Sequence, residues 1–395
     1  MSTDVLELLL AGIEPELPAA CALRERLHAR PELSWQEHET AAAVTRAIGG
    51  GTRGVAGTGL LASAGSGAVG VGVRAELDAL PLREETTATF AATEEAMHAC
   101  GHDVHAAALV ALLRSARGIA EALPLPLTAI FQPSEESYPS GAEQLVRDGS
   151  LAGLGAIVAV HLHPDLPWGS ATADGGPVNA SADNFRIVVT GAAGHAAYPH
   201  RARDPLVALA HVVVALQTAV SRRLDPMHDA VVTIGWMRGG ATENVIPADA
   251  EAGGTLRSLQ PEDRDPLRQA VAEIAAHAAA ACGCSAVLEL TEGEPAIVND
   301  IDVAAAVRPL LVRAGFGEVA SLRSCGSDDF GFFGAASRLL LVFVGLAGAP
   351  GFAQAPLHHP GFLPPNEAVG AVARAQAAAY VGAATALASA PPPPA

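Results

Sequence analysis

The sequence predicts an α/β chain of two domains, the second inserted into the first, on three observations. A length of 395 residues can bury a large core and suits two domains. Four short apolar runs of strand type, Val69–Val73, Leu127–Phe131, Ala156–Val160 and Leu339–Val344, each lead into side chains that can ligate metal. Between the third and fourth runs the elements follow the order β-α-β-β-α-β, the ferredoxin-like pattern.

Taken in order, residues 4 to 48 read as helices broken at His28-Ala29-Arg30-Pro31-Glu32-Leu33-Ser34, where Pro31 suits a turn and Ser34 a following N-cap. The Val69–Val73 strand leads into Glu76 and Asp78, which are two apart on extended chain and so share a face. They are candidates for metal ligands or for groups that orient ligands, and a solvated loop would also explain them. Met97-His98-Ala99-Cys100-Gly101-His102-Asp103-Val104-His105 then packs one thiol and three imidazoles into eight positions, 98 to 105. Thiolate with imidazole is a donor pair for zinc or a similar first-row metal. The following stretch, Val104–Ala120, reads as a helix with Asp103 as N-cap, leaving Cys100 and His102 on the preceding turn.

The Leu127–Phe131 strand runs into Glu135-Glu136. Neighbouring carboxylates raise each other's pKa unless a cation lies between them, so one as ligand and one as general base is a sensible division. Ala156–Val160 delivers His161-Leu162-His163, and Leu339–Val344 leads into a loop with His358-His359. Ligands of open α/β sheets bind beyond the carboxyl ends of the strands, where these side chains collect. The inserted block reads as strand Phe185–Thr190, helix Asp204–Arg223, strands Ala230–Trp236 and Ala250–Ser258, helix Glu262–Ala281 and strand Ala286–Thr291. Domain boundaries are accordingly expected at 1–179 with 294–395, and at 180–293. The Pro391–Pro394 tail reads as disordered.

Composition narrows the function. A formal charge of −18 argues against nucleic acid or anionic membrane as partner. All 24 basic residues are arginine, so a P-loop lysine, a pyridoxal-phosphate Schiff base and a Ser-Lys dyad are excluded. G-x-S-x-G and H-E-x-x-H are also absent, which leaves metal-activated water open. No run approaches roughly 18 uncharged apolar residues; Val207–Val220 is the longest, and His211 and Gln217 interrupt it. The start, Met1-Ser2-Thr3-Asp4, lacks the basic region of a signal peptide, and the five cysteines do not resemble a disulfide framework. A cytoplasmic location is expected. Cys282-Gly283-Cys284 reads as small residues between a helix and a strand.

Arg74–Pro81, Met97–His105, Phe131–Glu136, Gly191–His200 and Asn244–Pro247 together resemble the M20 family of metallopeptidases over nearly the whole chain. The nearest branch is its amidohydrolases: aminoacylases, hippurate hydrolases and auxin-conjugate hydrolases. The resemblance implies a di-metal, aminopeptidase-like catalytic domain with a ferredoxin-like lid that mediates dimerisation. It implies Cys100, His102, Glu136, His161 and His358 as ligands of two divalent ions (zinc, or manganese, cobalt or nickel), with Cys100 as the bridge. It further implies Glu135 as general base on metal-bound water, Asp78 as a group orienting the site, and His195 as oxyanion stabiliser in cis or in trans. Asn244 and Arg257 are similar to positions that hold the substrate carboxylate. His98, His105, His163, His200 and His359 are expected to pack or support rather than ligate.

The implied reaction splits an N-acyl amino acid into a carboxylic acid and a free amino acid; the expected partners are this small molecule and a second copy of the chain. The alternatives are a dipeptidase or carboxypeptidase, an N-carbamoyl hydrolase, and a catalytically silent binding protein. Cys100 argues against the first two, since their branches usually place Asp there. Three departures from the pattern stand out. Glu76 replaces the branch's usual Asp, Asp328 its usual Glu, and Ser137-Tyr138-Pro139-Ser140 its glycine-rich run, which could shift specificity.

Overall fold

Residues 4–389 are described by a computed structural model; the Pro391–Pro394 tail lies outside them. The chain forms two compact units. One comprises residues up to Gly176, Val298–Leu322 and those from Asp329 onward, and the other comprises Pro177–Ile297 and Arg323–Asp328. The expected boundaries at 180 and 293 fall within a few residues of these. The return of 323–328 to the second unit was not anticipated; it is tied there by Ala180 N–H donating to Ser324 O (3.1 Å) and Gly326 O (3.0 Å).

The first unit is built on an eight-stranded sheet. Its centre is Leu127–Gln132, Gly70–Glu76, Leu154–Pro167 and Arg338–Ala347, side by side and parallel. All seven residues of Gly70–Glu76 are buried, and Arg338–Ala347 is buried except at its ends, the pattern of strands covered on both faces. Helices His102–Gly118 and Glu367–Ser389 pack on this centre and are buried along most of their length. Their abundance of alanine follows, because a helix apolar all round suits the middle of a large core and small side chains allow close approach.

Two expected caps differ. Helix His102–Gly118 begins at His102 with Gly101 as N-cap, at φ 89°, so Asp103 lies in the first turn and its carboxylate serves Arg24 and His28 instead. A left-handed residue there is what glycine permits without strain. Helix His38–Ile48 begins after Glu37, and its first amides donate to Glu32, at Glu39 N (3.1 Å) and Thr40 N (2.7 Å). Ser34 is no cap; its Oγ–H donates to Asp78 Oδ2 at 2.7 Å.

The second unit realises the β-α-β-β-α-β order. Its antiparallel sheet runs Ala230–Gly239, Asp249–Ser258, Ser181–Thr190, Ser285–Glu292, against which helices Pro205–Arg223 and Arg264–Ala281 pack. Phe185, Ile187 and Val189 alternate toward these helices with exposed neighbours, as half-buried strands must. Helix Pro205–Arg223 is, by length and composition, long and apolar enough to cross a membrane despite His211 and Gln217, which the sequence reading did not expect. Here it buries Ala208, Leu209, Val212, Leu216 and Ala219 in the unit's core. Cys282 and Cys284 are free thiols between the second helix and the last strand.

One buried carboxylate organises this unit. Asp183, on the first strand, accepts from Arg264 (2.7 and 3.1 Å), Arg268 (2.8 and 2.8 Å) and Gly293 N–H (3.1 Å). Burial opposes its ionisation, but the bonds from Arg268 and Arg264 overcome this and hold the carboxyl well below the usual carboxylate range. Asp183→Asn leaves two guanidinia partly unpaired. It should lower the unit's stability by about 3 kcal/mol or more, read as an earlier thermal or urea transition.

Candidate active site

Because the four central strands are parallel and adjacent, the segments leaving their carboxyl ends converge. Asp78 follows the first of them in the chain, Glu135 and Glu136 the second, and His358 lies in the loop after the last. His161 differs from expectation in lying inside its strand, which continues to Pro167. Cys100 and His102 flank Gly101 at the helix start.

These side chains meet. Cys100 Sγ lies 3.4 Å from His161 Nε2. His358 Nε2 lies 3.4 Å from Glu136 Oε1, and His102 Nε2 lies 3.8 Å from Glu135 Oε2 and 3.9 Å from Glu136 Oε1. Two sets of donor atoms fall within 4.8 Å of one another and share the thiol: Cys100 with His102 and His161, and Cys100 with Glu136 and His358. A third set joins His102 to Glu135 and Glu136. His358 takes a left-handed backbone, φ 60°, uncommon for a residue with a side chain, while its N–H donates to Ala99 O at 2.9 Å.

The surrounding groups fix which nitrogens carry protons. His102 Nδ1–H donates to Asp78 O at 2.9 Å, and His161 Nδ1–H to Leu162 O at 2.7 Å, so the Nε2 atom of each ring faces the cluster. Asp78 Oδ2 accepts from Glu136 N–H at 2.9 Å as well as from Ser34. His105 is spent otherwise. Its Nδ1–H donates to Glu76 Oε2 at 2.9 Å, and its Nε2 accepts from Leu162 N–H at 3.2 Å. Glu76 is therefore a support inside the strand, paired with Arg74, and Arg74 also donates to Gln132 and Asp329 (2.8 Å each). Asp329 in turn accepts from Ser140 Oγ–H at 2.6 Å, which anchors the segment following the paired glutamates. This chain of buried polar groups was missed in sequence, because nothing near Arg74 in the chain announces partners near 329.

The donor set fits divalent metal. His102 Nε2 and Glu136 Oε1 are buried without a hydrogen-bond partner, an expensive condition that a cation relieves. Burial alone would lower the His102 pKa, yet Glu76, Asp78 and Glu136 push it up to about 10, so the field at this point favours positive charge. Thiolate, imidazole and carboxylate together suit first-row divalent ions.

The remaining predicted residues lie in the second unit. A short ribbon pairs Gly194-His195 with Val245-Ile246, and Ala196 N–H donates to Asn244 O at 3.1 Å, placing His195 beside Asn244. His195 is exposed and its Nδ1 accepts from Ala197 N–H at 3.1 Å, so Nε2 is the protonated nitrogen and a donor. Arg257 Nη1 donates to Cys325 O (3.0 Å) and Ser327 Oγ (3.4 Å); among the described residues no carboxylate forms a salt bridge with it.

The sequence pattern of peptidase family M20/M25/M40 matches residues 72–380. An N-acetyl-L-cysteine deacetylase of Bacillus subtilis (strain 168) is 33% identical over 331 residues, 82% of this chain and 79% of its own. An IAA-amino acid hydrolase ILR1-like 2 of Arabidopsis thaliana is 37% identical over 328 residues, covering 79% and 73%. Among solved structures, a dinuclear metal-binding peptidase of the M20 family from Bacillus subtilis superposes with a TM-score of 0.82 at 30% identity, covering 93% of this chain and 98% of that one.

Proposed function

The chain belongs to peptidase family M20/M25/M40, a family of metal-dependent hydrolases, and from that premise we propose that it hydrolyses the amide bond of N-acyl amino acids. Relatives named as deacetylases and as an IAA-amino acid hydrolase support this substrate class. The observation that carries the reading is the thiol of Cys100, shared by two adjacent donor sets. In this reading Cys100, His102 and His161 hold one divalent ion, and Cys100, Glu136 and His358 hold the other. When bound, such a pair lowers the pKa of a water and polarises the scissile carbonyl.

The chain's own residues do the rest. Asp78 holds His102 in the tautomer whose Nε2 is free, and fixes the backbone of Glu136. Glu135 accepts the proton of the attacking water and returns it to the leaving amine. His195 Nε2–H donates to the oxygen that gains charge, an interaction worth about 3 kcal/mol. Asn244 and Arg257 receive the substrate carboxylate, the Arg257 guanidinium offsetting locally the field of an acidic protein.

The test is amino-acid release from N-acetyl, N-benzoyl and indole-acetyl amino acids by chelated protein, then with zinc, manganese, cobalt or nickel restored. Release that follows the metal is expected; silence with every metal from folded protein would sink the assignment. We also read the second unit as a dimerisation surface. Ala230–Gly239 is an edge strand with Trp236 and Met237 exposed, and the neighbouring helix exposes Leu206, Val207 and Val214. Val214→Glu should shift the protein toward monomer in light scattering; an unchanged mass that is already monomeric in the wild type removes this reading.

A further inference from the structure

Helix Leu17–His28 carries Arg24 and His28 on its buried side, both without exposure. Arg24 donates to Asp103 Oδ2 (2.8 Å), to Asn366 Oδ1 (3.1 Å) and to Pro364 O (3.0 Å). His28 Nδ1 lies 2.9 Å from the same Asp103 oxygen in a hydrogen bond, and Nε2 lies 3.2 Å from Glu84 Oε2, an ion-pair contact off the line of a hydrogen bond. The ring of Phe90 meets His28 edge-on at 5.5 Å, so no water competes from that side. Glu84 also accepts from Ala92 N–H at 2.6 Å and from Thr86, which folds the segment 84–92 around one carboxylate. The next residue, Glu85, donates its N–H to Pro360 O at 3.0 Å, two residues beyond His358.

Both ring nitrogens of His28 thus face carboxylates. A neutral imidazole has one N–H and could serve only one of them; the imidazolium serves both. We propose that His28 is a positioning residue whose second proton fastens Glu84, and through it the segments 81–96 and 357–366, against the helix that begins at His102. Loss of that proton frees both segments and with them the backbone of His358. Only the link to His358 as ligand rests on the function proposed above; the fastening of the two segments does not.

The groups facing His28 agree with this. Burial by itself lowers its pKa and Arg24 opposes the charge, but Asp103 on the helix and Glu84 on the segment outweigh both, pushing it from 6.5 up to about 8. His98, its remaining titratable neighbour, is held at about 4 by burial and stays neutral throughout. Since the folded value lies above the unfolded one, the stabilisation is full below 6.5 and is lost as pH rises through about 8.

The experiment is hydrogen exchange by mass spectrometry on metal-free full-length protein between about pH 6 and about pH 9.5, corrected for intrinsic rates. Protection of 81–96 and of 357–366 should fall together by about tenfold, with a midpoint near 8, while strand Gly70–Glu76 is unmoved. His28→Gln should show the low protection at every pH. Should that variant fail to fold, Glu84→Gln, which leaves His28 with Asp103, should likewise abolish the step. A wild type without the step, or a step that persists in the variants, overturns the proposal; release of 81–96 alone overturns the coupling to the His358 loop. Because no metal or substrate is present, a failed amidohydrolase reading leaves this result unaffected.

Discussion

Glu135→Gln is expected to lower kcat by about 10²–10⁴-fold, the worth of a positioned general base, while the protein keeps its full complement of metal. The two glutamates are adjacent in sequence yet differently placed. Glu136 Oε1 sits 3.4 Å from His358 Nε2 and belongs to a donor set with Cys100, whereas Glu135 groups with His102 and Glu136. Glutamine is isosteric and keeps one carbonyl oxygen, so folding and metal content should hold and KM should change little. Turnover and metal stoichiometry measured on one preparation decide the matter. A fully active variant would show that the proton is handled elsewhere, and a metal-depleted one would make Glu135 a ligand.

Cys100→Ala should cost metal affinity more than any other single change, because both donor sets lose the same atom. Removing even an outer partner of a ligand costs about 10–100-fold in affinity, and a shared ligand should exceed that. Cys100→Asp is the informative companion. A carboxylate can also bridge two ions, so this variant should recover metal and part of the activity, with its preference moved from zinc toward manganese as the donor hardens. Metal analysis after dialysis, with activity across a metal series, reads both. Cys100→Ala that retains two ions per chain would contradict the shared-thiol arrangement.

The strands that build the sheet centre were legible because each is a short β-branched or leucine run, and the second unit because its elements alternate in period. Thr52–Val55 and Gly59–Ala64 were not, since their glycine-rich setting reads as loop and only pairing across the sheet makes them strands. The donor residues were visible as residue types crowded at strand ends. Of their supports, Glu76, Asp78 and His105 were visible beside them, but the buried arginines Arg24 and Arg74 were not, since they find partners dozens to hundreds of residues away. Asp103 shows the limit of local rules. A capping residue by sequence, it is drawn by two buried cations into another task, and glycine takes the cap.

The discontinuous first unit has a consequence for synthesis. Strand Leu154–Pro167 can pair with Gly70–Glu76 as it emerges but gains its second parallel neighbour only with Arg338–Ala347, so the sheet stays incomplete until that late segment is out. The inserted unit is complete long before, apart from the short 323–328 return, and can fold on the ribosome while the other remains open. His358 arrives last of all the donors. A nascent or truncated chain ending before it would hold an incomplete donor set, so hydrolytic competence should appear only once His358 has emerged.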